Sequence, residues 1–335
     1  MPKVLCIGSV YLDINCLRFP CEEGLPIEEE RIGNEYEVIT GGSAPNFARF
    51  CKRLEIEATL VGNIGRDLFG KIFRKMMTAS SVTLSLMECE QALTNIGINF
   101  IAPNGVSVLT VAGSANENLA EEWVSKSVNN HIDDVAYIYL GGTFKLPHLM
   151  PYFESLAKEL ARRRVSVILD HGSVPKDASA ETKRRMRSLA SSVNFYLPNR
   201  SEFLGLWEAD SLDAAAEKLM ASGPSMQRLV VVKDGSAGAV GFTSDERITV
   251  PAYDTPIRST VGAGDSFNAG LIRAMSLGQD LESSMDFASA AAATAISGAD
   301  FAIATIKAIR KRGSRISPQL NPASKGILKP GEKIA

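Results

Sequence analysis

The sequence predicts an α/β fold with a mostly parallel central sheet covered by helices on both faces and a small β-sheet lid. Short apolar runs rich in β-branched residues recur, and segments of helical period separate several of them, as in parallel strands joined by helices. Two further segments depart from this pattern. The apolar runs are residues 4–7, 58–61, 135–140, 165–169 and 229–232, and the helical segments are residues 147–164, 180–191 and 212–221.

The two departing segments, residues 14–40 and 92–112, predict the lid. The first carries many charges and few helix signals. The second alternates apolar and polar residues around Pro103-Asn104-Gly105, which is typical of a β-hairpin. Residues 1–13, 41–91 and 113–312 then form one core, which the chain leaves twice. Because an unpaired strand edge seeks a partner, we expect a homodimer through the lid.

The end of the chain and its overall composition limit the possible partners and surroundings. Residues 313–335, which contain Pro, Gly and Lys, are predicted to be a poorly ordered tail. The net charge of −2 gives no bulk attraction to nucleic acid or to a membrane, and no apolar run is long enough to span a bilayer. Five cysteines without a C-x-x-C pair favour reduced thiols over a disulfide framework or a zinc site. We therefore expect a cytoplasmic protein.

The most informative segment is residues 259–265, which read S-T-V-G-A-G-D before a helix-forming run that starts at Ser266. Glycines allow backbone N–H groups to converge, and the N-terminus of a helix adds unpaired donors, so this turn predicts an anion site. A carboxylate repels an anion, so an acid in this turn is unexpected unless it has a separate role. Asp265 has such a role if it accepts the proton of a hydroxyl that attacks phosphorus. The motif therefore indicates phosphoryl transfer from a nucleotide to an alcohol.

Two segments near the N-terminus are candidates for binding a polyol. Residues 41–46 read G-G-S-A-P-N, where Gly41 and Gly42 permit close approach of the backbone and Asn46 offers a donor and an acceptor. A strand-to-helix turn with Asn46 near the cap explains the same residues. Asp13 follows a buried strand and can accept hydrogen bonds from sugar hydroxyls, although an Asx turn or a helix cap is the alternative.

Two later segments are candidates for nucleotide and metal binding. Asn199 and Glu202 lie three residues apart at the start of a helix, and their oxygens suit Mg²⁺, often through its waters. The alternative is a simple capping box. Residues 233–238 read K-D-G-S-A-G after an apolar strand. Their N–H groups can hold nucleotide phosphates, or the segment is a plain β-turn before another strand.

Three other features do not indicate a site of their own. Residues 65–71 have the spacing of a P-loop, but Ile72 has no hydroxyl for Mg²⁺, so we interpret this segment as the entry turn of a helix. A G-x-G-x-x-G dinucleotide fingerprint is absent, because Phe267 stands at its third glycine position. His171, beside Asp170 at a strand end, is expected at the rim of the pocket.

In their order along the chain, these segments resemble the PfkB (ribokinase-like) family of carbohydrate kinases. The pair G-G-x-x-x-N and G-A-G-D is the specific part, and the stretch V-G-N-I-G-R-D-L-F-G at residues 61–70 is also similar to a family stretch. The resemblance covers about residues 3–300 and implies ATP, Mg²⁺ and a sugar as ligands.

The resemblance also implies a role for each matching position. Asp265 is then the catalytic base, with the backbone N–H groups of the G-A-G turn as the anion hole. Other positions bind the sugar, organise Mg²⁺ and phosphate, or lie along ATP, and the lid closes over the substrate. The implied residues are Gly262, Ala263 and Gly264 for the anion hole; Asp13, Gly41, Gly42 and Asn46 for the sugar; Asn199 and Glu202 for Mg²⁺ and phosphate; and Lys233, Gly235 and Gly238 for ATP.

Three departures from the family pattern bear on specificity. Ser259 stands where many members have an acid, which puts a potassium site in doubt. Ser43 stands where phosphosugar kinases tend to have a lysine, which disfavours a phosphorylated substrate, although S-T-V-G-A-G-D itself is similar to the 1-phosphofructokinase version. The strand that ends at Leu140 lacks the acid that usually follows it in ribokinases, which weakens ribose as the substrate.

The sequence thus predicts an ATP- and Mg²⁺-dependent kinase that acts on the hydroxymethyl group of a small non-phosphorylated sugar or sugar acid. A nucleoside kinase on the same fold is the nearest alternative, because the aromatic residues of the lid, Phe19, Tyr36 and Phe100, do not decide whether a base stacks there. A non-catalytic, sugar-responsive regulator and a dehydrogenase are more distant hypotheses. A regulator has no need of a base in an anion hole.

Overall fold

A computed structural model describes residues 2–19, 21, 35–102, 107–160, 163, 165–222, 228–313 and 315. Within these residues the chain forms thirteen strands, which are divided between a large and a small sheet. In chain order the strands are β1 (Lys3–Gly8), β2 (Tyr11–Leu17), β3 (Glu35–Gly41), β4 (Glu57–Gly65), β5 (Thr83–Cys89), β6 (Ile96–Ile101), β7 (Ser107–Ala112), β8 (Tyr137–Gly141), β9 (Ser166–Asp170), β10 (Phe195–Tyr196), β11 (Leu229–Lys233), β12 (Ala239–Phe242) and β13 (Arg247–Val250).

Ten α-helices connect and cover the strands of the described residues. Several begin at a side-chain cap: Ser179, Ser211 and Asp280 each accept a hydrogen bond from an N–H group in the first turn that follows. The helices are α1 (Ser43–Arg53), α2 (Leu68–Ala79), α3 (Glu121–His131), α4 (Met150–Leu160), α5 (Ala180–Ala190), α6 (Arg200–Trp207), α7 (Leu212–Ala221), α8 (Ala263–Ser276), α9 (Leu281–Ile296) and α10 (Ile303–Arg312).

The large sheet has nine strands in the order β13-β12-β11-β10-β9-β8-β1-β4-β5. Seven of them, from β11 to β5 in this order, are parallel to their neighbours, and β12 and β13 are antiparallel at one edge. The predicted, mostly parallel central sheet is confirmed. Its central strands are apolar on both faces, because helices cover both sides.

Alternate residues of the central strands enter two separate cores. In β1, Val4 and Cys6 belong to a core that includes residues of α1, α2, α8, α9 and α10. Leu5 and Ile7 belong to the opposite core, to which α3, α4, α5, α6 and α7 contribute. Five helices therefore lie on each face, in agreement with the sequence prediction.

The strand order reverses at β1. The next strands of the large sheet along the chain, β4 and β5, lie on one side of β1, and the strand after them, β8, lies on the other side. The carboxyl ends of β1 and β8 approach so closely that a Cβ atom on Gly8 would lie 2.2 Å from the carbonyl oxygen of Gly141. In open α/β sheets, a reversal of this kind opens a crevice where ligands bind.

The small sheet has the order β3-β2-β6-β7, with β2 and β6 parallel and the two outer pairs antiparallel. The predicted hairpin is present as β6 and β7, and its turn at residues 103–105 lies outside the described residues. Leu12, Val38 and Ile96, on one face of the sheet, share a core with apolar residues of α2. Asp13 lies in β2, whose side chains alternate, so Asp13 faces the opposite side.

Of the predicted C-terminal tail, only Gly313 and Arg315 are among the described residues. The guanidinium of Arg315 donates a hydrogen bond of 2.7 Å to the hydroxyl of Tyr253. Among the helices that the structure describes, none combines the length and the apolar character that a membrane span requires.

Candidate active site

Asp265 lies in the first turn of α8, which begins at Ala263 and thus three residues before the predicted start at Ser266. Gly262 precedes the helix with φ of 79°, a left-handed conformation that glycine adopts without steric cost, and a Cβ atom there would lie 3.1 Å from the ring of Phe50. The N–H group of Ala263 donates to the carbonyl of Thr260 at 3.2 Å. Within the described residues, the N–H groups of Gly262 and Gly264 have no hydrogen-bond partner, so they are free to bind an anion.

The carboxylate of Asp265 accepts a hydrogen bond of 3.0 Å from the hydroxyl of Ser43, the first residue of α1. Burial and the nearby charge of Asp170 raise the pKa of Asp265 to about 7, against the opposing effects of Lys233, Ser43 and Asn46. A carboxylate with such a pKa is a better proton acceptor at neutral pH than an ordinary aspartate.

Lys233 and Asp170 form a buried ion pair beside Asp265. Lys233 ends β11 and Asp170 ends β9, so the parallel strands deliver both side chains to the same edge of the sheet. The Nζ atom of Lys233 lies 2.7 Å from Oδ2 of Asp170 and 3.3 Å from Oδ1 of Asn268. Burial alone would lower the pKa of Lys233, but attraction to Asp170 raises it, so the ammonium stays charged. Burial likewise opposes ionisation of Asp170, whose pKa is nevertheless lowered by Lys233.

A cavity of about 280 Å³ brings the predicted nucleotide residues together with the predicted anion hole. Lys233, Gly235 and Gly238 line one side of it, and Ala263 and Gly264 line the other. Its remaining wall is largely apolar, which suits the flat face of a nucleobase. The apolar residues of that wall were not predicted from the sequence, and they are Ala252, Tyr253, Ile257, Phe267, Ala292, Ala293 and Ile296.

The segment at residues 233–238 is a turn between two antiparallel strands, which was the structural explanation of its sequence. The N–H group of Asp234 donates to the carbonyl of Gly238 at 2.8 Å, which closes the turn. Gly238 has φ of 96°, and a Cβ atom there would lie 2.0 Å from the carbonyl oxygen of Val250. This position therefore requires glycine for the fold as well as for access to the cavity.

Asn199 and Glu202 form a capping box, which was the structural explanation of their spacing. The Asn199 side chain accepts from the N–H of Glu202 at 2.9 Å, and Oε2 of Glu202 accepts from the N–H of Asn199 at 2.8 Å. Burial, reinforced by Asp170, raises the pKa of Glu202 to about 7. The capping box explains the helix start, and it also fixes a carboxylate near the Lys233–Asp170 pair.

The donor set fits Mg²⁺ only as a partial site. Among the described residues, no group of three or more His, Cys, Asp or Glu side chains is arranged to hold a metal. Glu202 uses one carboxylate oxygen in the capping box, and for its other oxygen no hydrogen bond is formed within the described residues. A single hard oxygen ligand suits Mg²⁺, which keeps most of its waters and binds nucleotide phosphates.

The predicted sugar residues gather around Asp13 and the start of α1. A Cβ atom on Gly41 would lie 2.0 Å from the Asp13 carboxylate, and one on Gly97 would lie 2.4 Å from it, so two glycines of neighbouring strands hold room for this side chain. Burial raises the pKa of Asp13 to about 6. Gly42, with φ of 94°, turns the chain into α1, where the buried Asn46 helps to lower the pKa of Asp265.

Two secondary predictions have clear outcomes. His171 does not lie at a pocket rim: it is fully buried, and its Nε2 atom lies 2.7 Å from the hydroxyl of Tyr196. The neighbouring Asp170 suggested that His171 would be exposed, but residues packed at the end of the strand enclose the imidazole ring of His171. The helix-entry interpretation of residues 65–71 is confirmed, because Asp67 caps α2 and accepts from the N–H of Gly70 at 2.7 Å.

Besides the apolar wall of the cavity, the residues Ser43, Tyr139, Asn268 and Gly97 escaped the sequence prediction of site residues. Asn268 lies three residues after Asp265, so the helical period of α8 could have placed it on the same side. Tyr139 gave no local signal, since it lies inside an apolar strand. Gly97 is recognisable only from its register opposite Asp13.

Comparisons with known proteins identify the family of the chain. A family model described as pfkB family carbohydrate kinase matches residues 1–305. The 5-dehydro-2-deoxygluconokinase of Bacillus subtilis is 24% identical over 303 residues, which cover 88% of this chain and 90% of that protein.

Solved structures share the fold. A putative ribokinase II from E. coli, in complex with ATP and Mg²⁺, superposes with a TM-score of 0.78 at 20% identity, covering 93% of this chain and 100% of that chain. The nucleoside kinase of Methanocaldococcus jannaschii, an archaeal member of the ribokinase family, has a TM-score of 0.70 at 20% identity, with 93% and 99% covered. The predicted ribokinase-like fold and the predicted class of ATP-dependent carbohydrate kinase are confirmed, and the chain belongs to the pfkB family of carbohydrate kinases.

Proposed function

We propose that the protein transfers the γ-phosphoryl group of ATP to a hydroxymethyl group of a small, non-phosphorylated sugar or sugar acid. The observation that carries this proposal is the position of the Asp265 carboxylate. It lies in the first turn of α8 beside the free N–H groups of Gly262 and Gly264, and Gly264 lines the same cavity as Lys233. A base and an anion hole thus lie side by side.

In the proposed reaction, Asp265 accepts the proton of the sugar hydroxyl as the hydroxyl oxygen bonds to the γ-phosphorus. The bond between that phosphorus and the bridging oxygen of ATP breaks, and ADP leaves with the electron pair. Catalysis of phosphoryl transfer depends mainly on positioning the reactants and on stabilising the charge of the transition state. The backbone donors therefore contribute much of the rate enhancement. Loss of one donor in a comparable site costs on the order of 10²–10³ in rate.

Nucleotide binding is assigned to Lys233, Gly235, Gly238 and Asn199. The first three border the cavity. The side-chain N–H₂ group of Asn199 forms no hydrogen bond within the described residues, whereas its oxygen is used in the capping box. Glu202 is the residue that would hold Mg²⁺, which neutralises phosphate charge when bound. The ATP and Mg²⁺ in the E. coli neighbour are consistent with these ligands.

The sugar site is assigned to Asp13, Gly41, Gly42 and Asn46. The relative from B. subtilis is named for a sugar acid, which favours a substrate of this size. Ser43 argues against a phosphorylated substrate, because its hydroxyl is committed to Asp265 and Tyr139 and brings no cation to the glycine segment. Closure of the lid would exclude water and so suppress hydrolysis of ATP.

A nucleoside substrate is less well supported. Phe19 and Phe100 pack against each other with ring centroids 4.8 Å apart, in a small core with Cys21 and Ala102, so neither is free to stack on a base. Tyr36 pairs with Cys16 across the sheet and therefore lies on the face opposite to Asp13.

The experiment that tests the proposal measures ADP release from Mg-ATP over a panel of pentoses, hexoses, sugar acids and nucleosides. Asp265→Asn is measured beside the wild type, together with ATP binding by calorimetry. We expect one class of sugar or sugar acid to react, and we expect the variant to bind ATP without turnover. Near-normal turnover of Asp265→Asn would contradict the assigned base, and preference for a nucleoside would establish the alternative substrate. Sugar binding without phosphotransfer by the wild type would favour a regulator.

We further propose that two copies associate through the lid. The outer strands β3 and β7 leave Tyr36, Leu109 and Val111 exposed by 74%, 60% and 50%. In the part of the chain that the structure describes, neither strand is paired along its outer edge. Pairing with a second copy would cover these groups. Light scattering at assay concentrations is expected to give the mass of a dimer, and a monomer would refute the proposal.

A further inference from the structure

A chain of hydrogen bonds leads from the proposed base into the interior of the protein. Ser43 Oγ donates to Asp265 Oδ1 at 3.0 Å and lies 2.6 Å from the hydroxyl of Tyr139. The amide nitrogen of Asn268 donates to the same Tyr139 hydroxyl at 3.4 Å and to Asp170 at 2.6 Å. The amide oxygen of Asn268 accepts from Lys233 at 3.3 Å. The chain thus ends at a cation.

The number of protons fixes the direction of this chain. A hydroxyl group has one proton, so Ser43, which donates to Asp265, must accept from Tyr139. Tyr139 then donates its own proton and accepts from the Asn268 amide. Every link therefore points its donor towards Asp265. This arrangement favours the ionised carboxylate, because a protonated Oδ1 would lose the bond from Ser43.

The residues of the chain have little freedom to move. Tyr139 is fully buried, and its ring stacks on Phe47 at 3.8 Å between centroids with 9° between the planes. Ser43 is held at the first position of α1 by the left-handed turn at Gly42. A rigid donor therefore contacts one oxygen of Asp265, and the other oxygen is left for a substrate hydroxyl.

The remaining groups that face Asp265 do not replace this donor. Asp170 at the end of β9 opposes its ionisation, whereas Lys233 at the end of β11 and Asn46 of α1 favour it. Lys233 is itself 2.7 Å from Asp170, so much of its charge is already compensated. The Ser43 hydroxyl donates to Asp265 at 3.0 Å, and its removal alters no charge.

We propose that Ser43 and Tyr139 are positioning residues for the base, which aim the Asp265 carboxylate and hold it in its ionised form through a directed chain of donors. This inference rests on the proposed role of Asp265. The inference assigns a role to Ser43, which the sequence analysis connected only with the choice of substrate. It also assigns a role to Tyr139, which no sequence motif had indicated.

The test is the pH dependence of kcat for Ser43→Ala, Ser43→Thr and Tyr139→Phe at saturating sugar, ATP and Mg²⁺. A hydrogen bond to a charged group is worth roughly one pKa unit, so Ser43→Ala should move the acidic limb of the profile up by about one unit, with a loss of kcat of about tenfold on that limb. Tyr139→Phe should shift it in the same direction by less. Ser43→Thr keeps a hydroxyl and should leave the limb in place.

The matched control is Ser127→Ala, which removes another buried serine hydroxyl, one that lies 2.9 Å from Ser85 Oγ between α3 and the edge strand β5. It should leave the pH profile unchanged. An unmoved limb in Ser43→Ala, or an equal shift in Ser43→Thr, would overturn the inference. If Asp265→Asn is inactive while Ser43→Ala is normal, only this inference fails; if Asp265→Asn is active, the proposed function fails as well. If Ser43→Ala does not fold, the pH profile of kcat for Tyr139→Phe tests the inference instead.

Discussion

The ammonium of Lys233 lies 2.7 Å from Oδ2 of Asp170, and the side chains of this pair are only 12% and 8% exposed. A Cβ atom on Gly264 would lie 3.4 Å from the same ammonium, so the pair lies directly beside the proposed anion hole. Lys233 is thus placed both to stabilise a buried carboxylate and to supply positive charge where the phosphates of ATP are expected.

Removing Lys233 should separate these two tasks. In Lys233→Met, Asp170 is left as a buried charge without its partner, which typically costs about 3–5 kcal/mol in the free energy of unfolding. The double variant Lys233→Met/Asp170→Asn removes both charges and should recover most of that stability. Chemical denaturation measures this recovery.

The same double variant should not recover phosphotransfer, because the positive charge near the phosphates is still missing. Steady-state kinetics with ATP measure this loss. Recovery of both stability and turnover in the double variant would show that the lysine has no task beyond its ion pair.

The pH profile of phosphotransfer should have its acidic limb near neutrality. Burial and Asp170 raise the pKa of Asp265 to about 7, so the protonated, inactive form accumulates as the pH falls below that value. The rate is then expected to fall by about tenfold per pH unit on the acidic side, since one group must be ionised. His171 does not account for this limb, because burial lowers its pKa to about 4.

Glu202 competes most closely for this assignment, because its pKa is also raised to about 7, whereas the pKa of Asp13 is raised only to about 6. Protonation of Glu202 is expected to weaken Mg²⁺ binding, an effect that saturating Mg²⁺ suppresses. The profile of kcat/KM for the sugar is therefore measured at two Mg²⁺ concentrations. A limb that disappears at high Mg²⁺ would assign the titration to Glu202 instead of Asp265.

Gly97→Ala should weaken sugar binding without unfolding the protein. Its Cβ atom would lie 2.4 Å from Oδ1 of Asp13, so the carboxylate has to move, while the backbone at Gly97 is not left-handed and accepts alanine. We expect KM for the sugar to rise and KM for ATP to stay constant. Gly205→Ala is the control, because no atom lies within 4 Å of its Cβ position. An unchanged sugar KM in Gly97→Ala would contradict the role of Asp13.

Activity should not depend on potassium. Ser259 replaces the acid that many family members have before the G-A-G-D turn, and its hydroxyl is occupied by the N–H group of Val261 at 3.2 Å. Without a carboxylate at this point, the turn lacks the hard, charged ligand that would favour a bound cation. Rates of ADP formation in potassium, sodium and a bulky organic cation at equal ionic strength should coincide. Strong activation by potassium alone would contradict this prediction.

Much of the fold was predictable because it depends on local patterns. Residues 212–221 were predicted as helical and α7 spans Leu212–Ala221, since a 3.6-residue apolar period and a serine cap are both readable from the sequence. At residues 199–202 and 233–238, by contrast, the local pattern had two explanations. The structure shows a capping box and a β-turn, and it also places both segments beside the proposed nucleotide site.

The sequence by itself determined the kind of sheet, the presence of a helix at the G-A-G-D segment and an acid near its start, because periodicity, glycine and helix caps act over a few residues. Only the tertiary structure decided that Ser43, Tyr139 and Asn268 meet between Asp265 and Lys233. These residues come from a helix start, a central strand and a second helix. They meet because parallel strands end at one edge of the sheet, and no local pattern specifies which side chains will share that edge.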